Sequence, residues 1–311
     1  MPTKFYPIGT EGQKWTEAEF TQWKERVAEV KRSYKDDVLV RVDAIKADGH
    51  FDVIQYGALS VDPARYPLFA IKTKTFDASK PTVLVTGGVH GYETSGVKGT
   101  LLFVETEAKT YEKNFNLVVC PCISPWGYER IQRWTAIGSD PNRHFIDNSP
   151  VEECAQVMAF VKSLGVQFNM HFDCHETTDS DESEFQPAKA ARDGEAYVEG
   201  VIPDGFYLVA GSEEPEPEWF QAMIDAVKKI THIAPAEADG KMLDIVVKQE
   251  GTIELPARSL GLCGGFLKLK YAITTEVYPD SPKVDDANCD QAQVVTITSG
   301  LQYIIDKQIK F

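Results

Sequence analysis

The sequence has no surplus of positive charge. Its 32 lysines and arginines are outnumbered by 47 acids, for a formal net charge of −15. A nucleic-acid or anionic-membrane binder ordinarily shows the opposite balance or a dense basic patch. No basic patch interrupts the acidic background, so neither partner is expected. Long apolar runs are missing too: none approaches the ~20 residues of a membrane span. The opening Met-Pro-Thr-Lys-Phe-Tyr lacks the basic-then-apolar pattern of an export signal, and a cytoplasmic chain is expected. Cysteine is sparse, at positions 120, 122, 154, 174, 263 and 289, mostly inside apolar stretches. That density excludes a disulfide scaffold. Cys120 and Cys122, two apart in a strand-like run, would face the same way and offer a soft metal site. No second thiol pair supports one, and the cysteines read as buried free thiols. Internal repeats and low-complexity linkers are absent as well.

What is present is ordinary globular composition: 311 residues, 43% hydrophobic and 25% charged. A chain of this size buries roughly 75% of its unfolded surface and needs no staple. It reads as one domain over 1–311, with a helix and a first strand in residues 1–50. Thr16 and Glu19 form a capping box for a helix over 16–34, with Phe20, Trp23, Val27 and Val30 at helical spacing. Strands are predicted at 38–46, where Val38, Val40 and Val42 alternate, and at 51–59 and 66–75. The apolar run 82–89 has the look of a central buried strand. After it come a helix at 93–108, a strand at 115–123, a helix at 151–164 and a strand at 166–174. A strand at 206–210, a helix at 216–231, a strand at 271–278 and a helix at 288–307 complete the chain, with 178–195 left as a long loop. Alternating strands and helices predict an α/β fold, a mixed, mostly parallel twisted sheet of about eight strands between helix layers.

In such sheets ligands bind where strands end, and three strand ends carry metal- or proton-handling side chains. Gly87-Gly88-Val89-His90-Gly91-Tyr92-Glu93 places His90 and Glu93 three apart, so that one helical turn can aim both at one point. Alone, this match also fits a hydrogen-bonded loop histidine and a helix-start acid. Phe172-Asp173-Cys174-His175-Glu176 offers His175 as a third ligand, since a zinc hydrolase needs three protein ligands and one open position. His171, four back on the same strand face, competes; being deeper in the strand, it reads as a packed or orienting histidine. Asp173, on that face, is placed to orient His175. Ile273-Thr274-Thr275-Glu276 ends an apolar strand on an acid, which suits a general base or, on an edge strand, mere exposure to solvent. Arg133, Asn142 and Arg143 lie in the loops after strand 115–123, and arginine forks hold carboxylates and oxyanions.

The order of these signals resembles the zinc carboxypeptidase family typified by carboxypeptidase A, related to the aspartoacylase and succinylglutamate desuccinylase group. The resemblance covers most of residues 50–305. Its most specific part runs from Ser124-Pro125-Trp126-Gly127-Tyr128 through Arg133 to Asp140-Pro141-Asn142-Arg143-His144-Phe145. It is similar to the family's Asn-Pro-x-Gly-(Phe/Tyr) turn followed by Arg and Asn-Arg-x-Phe. The resemblance implies one Zn²⁺ held by His90, Glu93 and His175, Arg133 polarising the scissile carbonyl, and Asn142 with Arg143 clasping a terminal carboxylate. Glu276 would be general base and then general acid. The implied activity is hydrolysis of an amide bond next to a free carboxylate. A small peptide is the first substrate class and an N-acyl amino acid the second; a catalytically silent binding module is the remaining alternative. Three departures stand out. Ser124 replaces the usual Asn, no tyrosine occurs between 208 and 270, and the gap from Glu93 to His175 is short, closer to the deacylase group. The acidic loop at 176–184 would favour cationic peptides if it rims the site. Arg258, in the loop 251–265, would favour an acidic group instead.

Overall fold

The apolar run after residue 81 becomes a strand buried along its whole length, as a strand with helices above and below must be. The computed structural model describes residues 5–311; Met1–Lys4, part of the segment read for an export signal, lies outside the described residues. In chain order the strands are β1 (Asp52–Ala58), β2 (Pro67–Lys72), β3 (Thr82–Gly87), β4 (Asn116–Cys120), β5 (Met170–Glu176), β6 (Tyr207–Gly211), β7 (Lys241–Met242), β8 (Ile245–Val246), β9 (Thr252–Leu255) and β10 (Tyr271–Val277). All except the β7–β8 hairpin join one eight-stranded sheet, in the order β1-β2-β4-β3-β5-β10-β6-β9. The centre, β4-β3-β5-β10, is parallel throughout, and so is β6–β9. The other three ladders are antiparallel.

The helices are α1 (Glu17–Arg26), α2 (Val40–Asp48), α3 (Thr94–Thr106), α4 (Ala108–Tyr111), α5 (Pro125–Arg130), α6 (Glu152–Ser163), α7 (Gln186–Asp193), α8 (Pro217–Val227) and α9 (Asp286–Asp306). They cover both faces of the sheet, because successive strand residues point to opposite sides. Val83 and Val85 join a core with Val97 of α3, Trp219 of α8 and Ile297 of α9. Leu84, between them, joins a second core with Val157 and Val161 of α6. This is a single α/β domain with a mixed, mostly parallel sheet. Among the described residues no helix is long and apolar enough to cross a membrane.

Five local expectations are corrected. The capping box forms, but α1 stops at Arg26 rather than 34. The backbone N–H groups of Lys31 and Arg32 donate to Glu129 O at 2.8 and 3.2 Å, which draws the chain out over α5. Residues 38–46 are helical, not a strand: a π turn at Lys35–Leu39 leads into α2. Val38, Val42 and Ile45 are buried while Val40 is 55% exposed. That is the i, i+4, i+7 face of a helix, and the valine alternation hid it. The 178–195 segment is not a loop, since it holds a π turn at Asp181–Phe185 and α7. Strand β9 lies inside the expected loop 251–265. All six cysteines are free and buried, as read. Cys120 and Cys122 do not face the same way: β4 ends at Cys120, and the two thiols enter different cores.

Parallel strands deliver their C-terminal ends to one edge. Across that edge Glu276 of β10 is in register with His175 of β5, and Cys174 with Gly87 of β3. Gly88 turns the chain off β3 with φ of 62°, a conformation that favours glycine. Gly96, in the first turn of α3, lies against β5 so closely that a Cβ would stand 2.3 Å from Cys174 O. This contact sets the start of α3, and with it Glu93, against the end of β5. Gly96→Ala is therefore expected to cost about 1–3 kcal/mol, as overpacking does. Urea unfolding checks this; an unchanged midpoint would show that α3 shifts freely.

Candidate metal centre

Three side chains from two strand ends converge under the sheet edge. His90 Nδ1 lies 2.6 Å from Glu93 Oε1, and His175 Nδ1 lies 2.8 Å from Glu93 Oε2. The two imidazole rings stand nearly perpendicular, with centroids 5.0 Å apart. All three residues are almost completely buried. The His90–Glu93 spacing comes from a loop turn rather than a helical turn, because Glu93 is the extended residue that caps α3.

The ligand-type atoms lie within 4.8 Å of one another. Glu93 Oε2 and His175 Nδ1 are buried and make no hydrogen bond, although only 2.8 Å separates them. Burial works against the Glu93 charge, but the His175 and His90 imidazoles outweigh it and hold the carboxyl down at about 2. Burial also opposes a charge on His175, and the Asp173 and Glu93 carboxylates outweigh it, holding its pKa well above the ordinary imidazole value. Two imidazole nitrogens and a carboxylate are a donor set that suits Zn²⁺, and the orphaned oxygen and nitrogen are where a cation would be received. The residues present therefore fit the metal.

Each histidine is held from behind by a second carboxylate. His90 Nε2 lies 3.0 Å from Asp140 Oδ1, and His175 Nε2 lies 2.8 Å from Asp173 Oδ2. Such contacts fix the ring and leave Nδ1 for the metal. The orienting place expected for Asp173 is the place it takes. His171 stands further back: its Nε2 is 2.8 Å from Thr86 Oγ1, which donates to Asp173 Oδ1 at 2.6 Å. His171, Asp173 and Cys263 form a second close trio. Burial pushes the Cys263 thiol up, and both Asp173 oxygens are engaged, so this group offers a metal far less.

Asp140, given no role in the sequence reading, ties His90 to Asn142 and Arg133. Its Oδ1 also accepts from Asn142 N at 2.9 Å, and Arg133 Nε donates to its Oδ2 at 3.2 Å. An Asp directly before Pro141 is a helix-cap signal, and here it caps the short turn Pro141–Arg143. Asn142 Oδ1 accepts from Cys263 N at 2.7 Å, which directs the amide. Arg133 Nη1 reaches Asp181 Oδ1 and Tyr92 Oη, each at 3.3 Å. His90, Arg133, Asn142, Arg143 and Glu276 all line one cavity of about 260 Å³. Its wall includes Val209, Ile253, Leu255 and Leu262. Glu276 Oε2 accepts from Thr177 Oγ1 at 3.1 Å. Burial first, and then the charge of Glu93, push its carboxyl up to about 8.

The two hints about substrate charge change. Arg258 is not among the residues of this cavity; it pairs with Glu214 at 3.5 Å beside a separate small pocket. The acidic loop does reach the cavity through Glu176, Asp181 and Glu182, but its acids are engaged. Glu176 accepts from Thr94 N and Ser95 N, Asp181 meets Arg133 and Tyr92, and Glu182 accepts from Tyr197 and Gly200 N. Tyr207, just outside the stretch without tyrosine, lines the same cavity, with its hydroxyl 2.7 Å from Thr177 Oγ1.

No family model and no curated protein matches this sequence. Solved structures do match its shape. A metallo-carboxypeptidase from Burkholderia cenocepacia superimposes over 87% of this chain and 68% of its own, with 14% identity and a TM-score of 0.60. Bovine thrombin-activatable fibrinolysis inhibitor, solved with tick carboxypeptidase inhibitor, covers 91% and 99% of the two chains at 14% identity and a TM-score of 0.59. This is the metallo-carboxypeptidase fold. A candidate metallopeptidase from Shewanella amazonensis shares it at 19% identity, over 87% of this chain and 91% of that one, with a TM-score of 0.62. Within that fold, His90, Glu93 and His175 lie against one another, and Arg133, Asn142, Arg143 and Glu276 line a cavity with His90.

Histidine substitution tests the choice of ligands. His90→Ala and His175→Ala are expected to lose most bound zinc on metal analysis, while His171→Ala keeps it. Loss in His171→Ala with retention in His175→Ala would reverse the assignment of the third ligand.

Proposed function

We propose that this chain is a zinc-dependent carboxypeptidase, hydrolysing the amide bond next to the free C-terminal carboxylate of a small peptide. The reading rests above all on one observation: His90 of the histidine–glutamate trio, an unpaired arginine beside an asparagine, and a strand-end carboxylate line one cavity, with Glu93 and His175 buried directly behind His90.

Zinc held by His90, Glu93 and His175 would supply Lewis acidity toward a carbonyl and lower the pKa of a water to about 7. The protein's own residues do the rest. Arg143 has no ion pair among the described residues and donates only to its neighbour's carbonyl, Asn142 O, at 2.6 Å. Its remaining donors and the Asn142 amide are available to a substrate carboxylate, which a guanidinium fork matches in shape. Arg133 is fixed by Asp140 and Asp181 through Nε and Nη1, which leaves Nη2 to meet the oxyanion as charge develops. Glu276 takes the proton from the attacking water and returns it to the leaving nitrogen. The apolar wall of Val209, Ile253, Leu255 and Leu262 would receive the side chain of the residue released.

An N-acyl amino acid deacylase would use the same clamp and base. The peptide reading is preferred because a further cavity of about 430 Å³ opens beyond Arg133, leaving room for more than a small acyl group. A silent binding module has no use for a general base beside a metal trio.

A hydrolysis screen separates these readings. With zinc present, N-blocked dipeptides and longer peptides are expected to lose one C-terminal residue. Cleavage restricted to small acyl amino acids would favour the deacylase, and stoichiometric zinc without cleavage would favour the module. Glu276→Gln is expected to lower kcat by about 10²–10⁴-fold with zinc content unchanged; an active variant would remove the proposed base. Arg143→Ala should act mainly on KM and Arg133→Ala mainly on kcat, because only the second contact is made in the transition state alone. Amidating the substrate's C-terminus should reproduce the Arg143→Ala effect and add little to it. Full additivity would show that Arg143 never touches that carboxylate.

A further inference from the structure

The larger cavity beyond Arg133 is lined mainly by cationic and aromatic side chains. It lies between α1, the 133–144 segment and α7, and its lining includes Arg133, Arg143, Lys189 and Arg192. The single acid among its lining residues is Asp140, which is already bound to Arg133 and His90. In a chain of net charge −15, this concentration of cations in one concavity is out of proportion to the composition. Partners outside the lining offset only part of it. Asp181 meets Arg133 at 3.3 Å, and Asp193 binds Arg192 at 2.9 Å. Lys189 is half exposed, with Asp193 at 3.7 Å and Glu195 at 4.0 Å as its nearest acids. Arg143 has no acidic partner within ion-pair distance among the described residues. The aromatic side is supplied by Phe20, Phe185 and Trp134, the last with Arg192 stacked 4.6 Å from its ring centre.

Arg133 and Arg143 line this cavity and the catalytic one alike. A substrate with its terminal carboxylate at Asn142–Arg143 and its scissile carbonyl at Arg133 places the released residue in the cavity that holds Glu276. The part of the substrate on the other side of that carbonyl must leave past Arg133. We infer that the cavity lined by Lys189 and Arg192 is the subsite for that acyl-side part, and that it takes a carboxylate-bearing side chain on the residue preceding the scissile bond. This deepens the carboxypeptidase reading and rests on it. The chemistry selected is an acidic penultimate residue ahead of an apolar C-terminal one, since the wall beside Glu276 is apolar and the far cavity is cationic.

The test compares N-blocked Glu-Leu, Gln-Leu and Lys-Leu dipeptides. The wild type is expected to prefer Glu over Gln by about fivefold in kcat/KM, the yield of one partly exposed ion pair, and to disfavour Lys. The preference should shrink as salt is raised from 0.01 to 1 M. Lys189→Glu, an exposed change on α7, should bring the Glu/Gln ratio to about one or below. Arg192→Gln provides a second variant with the same expected direction. Equal cleavage of the Glu and Gln peptides by the wild type, or a preference that Lys189→Glu leaves intact, would overturn the inference. If no peptide is cleaved, the carboxypeptidase reading has failed on its own, and calorimetric binding of the uncleaved peptides then decides the subsite. Tighter binding of the Glu peptide that Lys189→Glu abolishes would support it, and equal binding would overturn it.

Discussion

A single line of alternating acidic and basic side chains runs through the site. Asp173, His175, Glu93, His90, Asp140, Arg133 and Asp181 follow one another, acid then base, at separations of 2.6 to 3.3 Å. Buried charges are tolerable only when paired, and removing one partner of a buried pair typically costs 3–5 kcal/mol. The alternation therefore fixes each member through its neighbours. It has one weak junction, between Glu93 Oε2 and His175 Nδ1, where neither atom is hydrogen-bonded. That junction is where a cation completes the line. The proposed metal ligands and Arg133 are thus parts of one electrostatic object, to which Asn142 is joined through its N–H to Asp140.

The fold exists to hold that line in register. Three parallel strands, β3, β5 and β10, end together, and the ladder between β5 and β10 sets Glu276 opposite His175. Gln293 of α9 reinforces the edge from beneath. Its amide donates to His175 O at 2.8 Å, and Thr275 donates to its carbonyl oxygen. Glu176, the next residue, accepts from the first amides of α3 and so pins the helix that begins beside Glu93. A helix N-terminus is a favourable place for a carboxylate, and here the same contact locks one strand end to the other.

Much of this was legible before any coordinates. His90, Glu93, His175 and Glu276 stand out because polar side chains that end apolar strands must be paired or used. Asp173 was legible for the same reason of strand parity. The missed parts share a physical cause: their meaning depends on contacts distant in sequence. Asp140 reads locally as a cap before a proline, and only the approach of His90 and Arg133 gives it a second task. Arg258 reads as a substrate contact until Glu214 is seen beside it. The 38–46 stretch misled because valines at alternate positions satisfy a strand, while burial of Val38, Val42 and Ile45 obeys the helix. The acids of 176–184 suggested a cation-seeking rim, yet folding engages Glu176, Asp181 and Glu182 internally and leaves the lining of the neighbouring cavity basic.

The central claim is that one zinc at the Glu93 junction enables removal of a C-terminal residue. The most direct measurement is a titration of metal-stripped protein with zinc, with the cleaved peptide identified by mass at each step. The account predicts no cleavage at the start, loss of a single C-terminal residue whose rate rises linearly with zinc, and a break at one equivalent. Undiminished cleavage by the stripped protein, or one bound zinc with no peptide shortened, would contradict it.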